Sequence, residues 1–88
     1  FDLSDATLYA SCEPCPMCYG AILWARIGRV LCAASGEQAA RAGFDDQRFH
    51  RELALPADER ELAVERVPLA ESERPFAAWL ALPTRIPY

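Results

Sequence analysis

The sequence contains no lysine and a single histidine, His50. All nine basic side chains are arginines, and thirteen acids outnumber them to leave a net charge of −4. Nucleic-acid binding draws much of its affinity from cationic contacts to phosphates, and no basic cluster stands out along the chain. No nucleic-acid partner is therefore expected; the missing lysine itself carries no mechanistic weight. No apolar run is long enough to cross a bilayer, no leader-like stretch is evident, and there is no repeat or low-complexity segment. No membrane partner is expected either. Four cysteines crowd into the first third of a chain that is 52% hydrophobic, unlike a disulfide-stapled mini-protein. Unpaired thiols without a leader make a cytoplasmic location the expectation.

What is present is concentrated in Cys12-Glu13-Pro14-Cys15-Pro16-Met17-Cys18. Residues 6–10 have the β-branched and aromatic character of a short strand, and Pro16 onward reads as a helix with proline at a permitted first-turn position. Thiols three apart at a helix start project to one side. The unsatisfied N–H groups and positive dipole end there favour both as thiolates. Zinc binds such thiolates, so Cys15 and Cys18 form half of a zinc site. A redox pair would call for a thioredoxin-like context that the flanking sequence does not suggest. An iron–sulfur reading of Cys12, Cys15 and Cys18 fails at the next ligand, since position 22 is Ile and Cys32 lies in an apolar run. Cys12 is expected to end the strand beside the site, and Cys32 to be a buried core thiol.

The wider pattern predicts strand at 6–10, helix at 16–27, strand at 30–34, helix at 37–42, an irregular polar stretch at 44–60, strand at 62–67 and helix at 71–82. This β-α-β-α-β-α order implies an α/β fold, a sheet with packed helices and at least one parallel crossover. Met17, Tyr19, Ile22, Leu23, Trp24 and Ile27 spread apolar surface around nearly the whole first helix, predicting burial on more than one side and a subunit interface on what remains. At this size folding removes only about 60–65% of the accessible surface, so stability is expected to be marginal.

The run from Leu8 to Arg26 resembles the second zinc motif of the cytidine-deaminase-like superfamily, the P-C-x-x-C of its H-x-E…P-C-x-x-C signature. The Pro-Cys-Pro-Met-Cys form is similar to the purine-deaminating branch. Ala42-Gly43-Phe44-Asp45-Asp46, residues 56–60, residues 75–79 and the terminal Tyr88 resemble, in order, the C-terminal half of bacterial-type guanine deaminases. The resemblance implies a layered cytidine-deaminase-like fold with a mixed sheet, a zinc cofactor, and hydrolysis of guanine to xanthine and ammonia. Adenosine deamination in tRNA and cytosine or nucleoside deamination share the zinc chemistry and remain open, as does a non-enzymatic zinc-stabilised fragment. One departure matters: H-x-E does not precede the cysteines. His50 and Glu52 spell it, but after the pair and in a polar stretch, where a lone histidine is expected at the surface. Residues 1–88 are thus expected to be the C-terminal portion of a single deaminase domain. A missing N-terminal half would supply the histidine ligand and proton-shuttling glutamate, and the 88 residues alone are expected to be inactive.

The resemblance also implies roles for individual residues. It places an acid of the active site at Asp45-Asp46, although adjacent loop carboxylates are commonly solvated turn formers. Guanine's N1–H and 2-amino group need acceptors, whereas adenine offers an acceptor at N1. Asp46 is the first choice to anchor the base and assist proton transfer, and Asp45 the second. Glu13 is expected to be a structural or helix-start residue. Trp24 lies about 180° around the helix from Cys15, so it either packs in a core or interface or closes a neighbouring subunit's base pocket. In guanine deaminases the C-terminal segment covers an active site exchanged between subunits of a dimer. Tyr88 is accordingly expected to reach a purine pocket, the partner's, in a homodimer with exchanged tails.

Overall fold

The computed structural model describes residues 2–88. Its centre is a pair of parallel strands, β1 (Thr7–Cys12) and β2 (Arg29–Ala34), in a register that sets Thr7 against Arg29, Leu8 against Val30 and Cys12 against Ala34. Alternation sorts β1 cleanly: Leu8, Ala10 and Cys12 are half-buried, and Thr7, Tyr9 and Ser11 face outward. The crossover is helix α1 (Pro16–Trp24), opened by Pro16, whose fixed φ suits the first turn. It ends at Trp24 rather than residue 27 because Ala25 caps it and Arg26 turns left-handed at φ 57°. Gly28 then lets the chain pass the segment before β1, where a Cβ would stand 1.9 Å from the Ser4 carbonyl oxygen. Leu3 ties that crossing, its N–H donating to Ala25 O (3.0 Å) and its carbonyl accepting from Gly28 N–H (3.3 Å).

Helix α2 (Gly36–Arg41) starts in a capping box: the Ser35 hydroxyl accepts from Gln38 N–H, and the Gln38 side chain accepts from Ser35 N–H at 2.8 Å. Gly43, at φ 96°, takes the chain out of it in a conformation that other residues resist. Helix α3 (Asp46–Ala54) then occupies most of the stretch 44–60 predicted as irregular. Its polar composition hides a short amphipathic helix with Phe49 and Leu53 four apart. Its C-terminal end is closed from outside by Arg60, whose guanidinium donates to the carbonyls of Glu52 (3.2 Å), Leu55 (3.1 Å) and Leu53 (3.4 Å). A 3-10 turn (Ala57–Glu59) brings Arg60 back to that end, and the Arg48–Glu61 ion pair holds the return.

Residues 62–67, predicted as a strand, are not one. Leu62, Val64 and Val67 give it strand-like apolar content without a strict β period, and no strand among the described residues lies beside it to complete a ladder. Helix α4 (Arg74–Ala81) follows, with Pro75 in its first turn, and stops before Pro83. The observed order is therefore β1-α1-β2-α2-α3-α4, an α/β arrangement with a small parallel sheet.

Ile22 is the one buried large hydrophobic residue among those described. Met17, Tyr19, Leu23 and Trp24 of α1 are all exposed, so the burial expected around this helix is not supplied by these residues. Cys32, expected in a core, is exposed as well, because a two-stranded sheet is too narrow to enclose it. The radius of gyration is 17.7 Å, against about 12 Å for a compact chain of this length. The accessible surface is 7752 Å², against roughly 5,200 Å² for a compact monomer of this mass. No helix among the described residues is long and apolar enough to cross a membrane.

Candidate active site

The loop from β1 to α1 fixes the cysteines by ordinary backbone geometry. Cys12 ends the strand, and its thiol lies 3.9 Å from the Ser35 carbonyl as a weak donor. Cys15 occupies the cap position of α1 with extended backbone, and its carbonyl accepts the first helical bond from Tyr19 N–H at 2.8 Å. Cys18 is then the third residue of the helix. Its backbone N–H, followed by its thiol, holds the Cys15 thiol below the ordinary thiol range, with the Asp46 charge opposing. Cys15 pushes the Cys18 thiol above that range in turn, as expected when two thiols share one proton.

This donor set fits a thiolate-loving metal in part. Two soft donors share a helix start where N–H groups stabilise negative sulfur. No third donor joins them among the described residues, where no group of three His, Cys, Asp or Glu side chains gathers to hold a metal. His50 lies on exposed α3 and is not brought to the pair.

Beside Cys15 opens a cavity of about 640 Å³, lined among others by Glu13, Phe44, Asp45, Asp46 and Phe49, a size that admits a small molecule. The acidic pair reaches it because α3 begins there. Asp45 caps that helix without a side-chain cap bond, leaving its carboxylate to support the Arg48 charge behind the stronger Glu61 contact. Asp46 is the first helical residue and is half-buried. Phe44 and Phe49 were not assigned to the site from sequence; Phe49 becomes legible once α3 is known, three positions beyond Asp46.

Trp24 and Tyr88 lie elsewhere. Their ring centroids are 5.4 Å apart and nearly perpendicular, beside a separate apolar cavity of about 750 Å³ that also touches Leu3 and Ala21. No described residue lines both cavities. The tail is held on its way there by Arg85, whose guanidinium donates to Leu80 O at 2.8 Å. The predicted site residues therefore fall into two groups: Cys15, Cys18, Asp45 and Asp46 at the start of α1 and α3, and Trp24 with Tyr88 at the far end of α1.

Comparison with known proteins gives this geometry its context. Residues 1–34 match the family described as the cytidine and deoxycytidylate deaminase zinc-binding region. The chain is 51% identical over 79 residues to guanine deaminase of Bacillus subtilis, which covers 90% of this chain and 51% of that protein. It is 40% identical over 60 residues to the tRNA-specific adenosine deaminase of Haemophilus influenzae, covering 62% of this chain and 35% of that protein. An X-ray structure of guanine deaminase from Bacillus subtilis superimposes with a TM-score of 0.90 at 46% identity, over 100% of this chain and 56% of that one. The chain thus spans about half the length of the guanine deaminase it matches. A zinc-binding region matched through β2, and a fold shared across the whole chain at this identity, show that the chain belongs to the cytidine-deaminase-like superfamily of zinc deaminases.

Proposed function

We propose that the protein catalyses the hydrolytic deamination of a free purine base, guanine plus water giving xanthine plus ammonia. The observation that carries this reading is the shared cavity in which Cys15 meets two carboxylates, Asp45 and Asp46. Likeness to guanine deaminase along 90% of the chain supports guanine over the tRNA substrate, with which a net charge of −4 fits poorly.

In this reading residues 1–88 are the C-terminal portion of one deaminase domain. Cys15 and Cys18 hold zinc as thiolates, with a histidine from outside these residues as third ligand and a glutamate from the same segment moving the proton. Zinc bound there supplies Lewis acidity and makes water a competent nucleophile near neutral pH. Asp46 accepts from the N1–H and 2-amino group of guanine and holds C2 toward the metal, and Asp45 stands behind it. A base lacking those donors would leave the carboxylate unpaired, which is how a small pocket discriminates strongly. Phe44 and Phe49 give the ring an apolar wall. Trp24 and Tyr88, at the far end of α1 from the cysteines in this chain, serve the pocket of a partner copy in a homodimer with exchanged tails.

Ammonia release by the zinc-loaded protein, measured with guanine, adenine, cytosine and an adenosine-containing tRNA anticodon stem, tests the substrate. Guanine is expected to be the preferred substrate. Selective activity on the anticodon stem would overturn the assignment.

A further inference from the structure

Glu13 lies between the last residue of β1 and the cap of α1, and it is bonded once to the last residue of β2 and once to the first residue of α2. Its backbone N–H donates to Ala34 O at 2.8 Å, continuing the strand ladder one step beyond the Cys12–Ala34 pair. Its carboxylate oxygen Oε2 accepts from Gly36 N–H at 2.7 Å. That N–H opens α2 and has no partner within its own helix. Gly36 is buried, and a Cβ there would stand 3.1 Å from Glu13 Oε2 and 3.2 Å from Gln47 Nε2. Gln47 is the neighbour of Asp46 on α3. The loop that carries Cys15, the start of α2 and the start of α3 therefore meet at one buried glycine, with Glu13 as the charged strut between them.

We infer that Glu13 is a positioning residue for the metal pair, resting on the zinc reading proposed above. Its carboxylate anchors the loop before Cys15 to α2 and, through the packing at Gly36, sets the distance from the cysteines to Asp46. The 2.7 Å bond from the Gly36 N–H is short, and hydrogen bonds are directional, which suits this task. Groups behind a metal site that orient its ligands commonly change affinity by about 10–100-fold when removed.

The test is a comparison of Glu13→Ala and Glu13→Gln in the intact protein. Three readouts are needed: zinc affinity by competition with a chromophoric chelator, thermal midpoint of the metal-free protein, and amide exchange at Gly36. Glu13→Ala is expected to weaken zinc binding about tenfold and to accelerate exchange at Gly36. Glu13→Gln keeps an oxygen acceptor at the same reach and is expected to retain affinity close to the unsubstituted value. Unchanged zinc affinity in Glu13→Ala, even with a lowered thermal midpoint, would overturn the inference, since the residue would then be only a structural brace. Equal loss in both variants would overturn it too, because charge rather than the bond to Gly36 would be at work. Failure of the unsubstituted protein to bind zinc is a distinct outcome that overturns the functional reading and this inference with it.

Discussion

Residues 2–54 and residues 55–88 both leave most of their large apolar side chains exposed, and they differ in how the backbone is tied. The first region is pinned by backbone chemistry: a parallel ladder, a capping box at Ser35, a left-handed exit at Gly43 and the Glu13–Gly36 bond. In the second, every residue from Glu61 onward is exposed, including Leu62, Val67, Phe76 and Leu80. Local hydrogen bonds can therefore place Cys15, Cys18 and Asp46 accurately with almost no core beneath them. The tail has local bonds of its own, in α4 and at Arg85, but its exposed apolar side chains need a surface from elsewhere. The chain reads as a preformed half-site joined to an arm in search of cover.

The comparison breaks most sharply at Asp46. Asp46→Asn keeps the helix start and the size of the side chain but exchanges one acceptor oxygen for a donor. We expect guanine kcat/KM to fall about 100-fold, the scale of a lost bond to a charged group, with zinc content unchanged. Steady-state assays with metal analysis check both halves of that statement.

The arm is tested by deleting residues 86–88. If Tyr88 covers a base pocket, guanine turnover should drop about tenfold, equivalent to about 1.4 kcal/mol of barrier. Zinc content and the exchange-protected amides of β1 and β2 should not change. Full catalysis after the deletion would reduce the Trp24–Tyr88 contact to simple packing.

A smaller effect sharpens the description of the first region. Because the fold lowers the Cys15 thiol and raises Cys18, Cys15 should alkylate first as pH rises in the metal-free protein, and Cys18 only at higher pH. The associated stability terms have opposite signs. The Cys15 contribution is present above its unfolded value and is lost as pH falls through the folded one; the Cys18 contribution is present below its unfolded value and is lost as pH rises. In denaturant the two labelling curves should converge, as mass spectrometry across a pH series would show.

These differences follow what sequence can carry. β1, the start of α1, β2 and α2 were legible within a residue or two, because proline, glycine and β-branched residues act locally. α3 was hidden: its few apolar residues sit in a polar stretch, and the cap that closes it comes from Arg60, beyond the helix itself. Residues 62–67 have strand-like composition, but composition does not supply a neighbour. Spacing alone singles out the metal pair and leaves the acidic pair as turn formers; the Gly43-Phe44-Asp45-Asp46 resemblance assigns the acids to the active site, and the left-handed exit at Gly43 precedes the helix start that sets them beside Cys15. The pairing of Tyr88 with Trp24 in the same chain was equally out of reach, since it links residues 64 positions apart.

The central claim is that Cys15 and Cys18, and not the other two thiols, hold the zinc of a deaminase. Metal analysis of the four single Cys→Ala variants of the intact protein tests it most directly. Cys15→Ala and Cys18→Ala should each lose zinc, whereas Cys12→Ala and Cys32→Ala should retain one zinc per active site. Full zinc occupancy after loss of Cys15 or Cys18 would contradict the account.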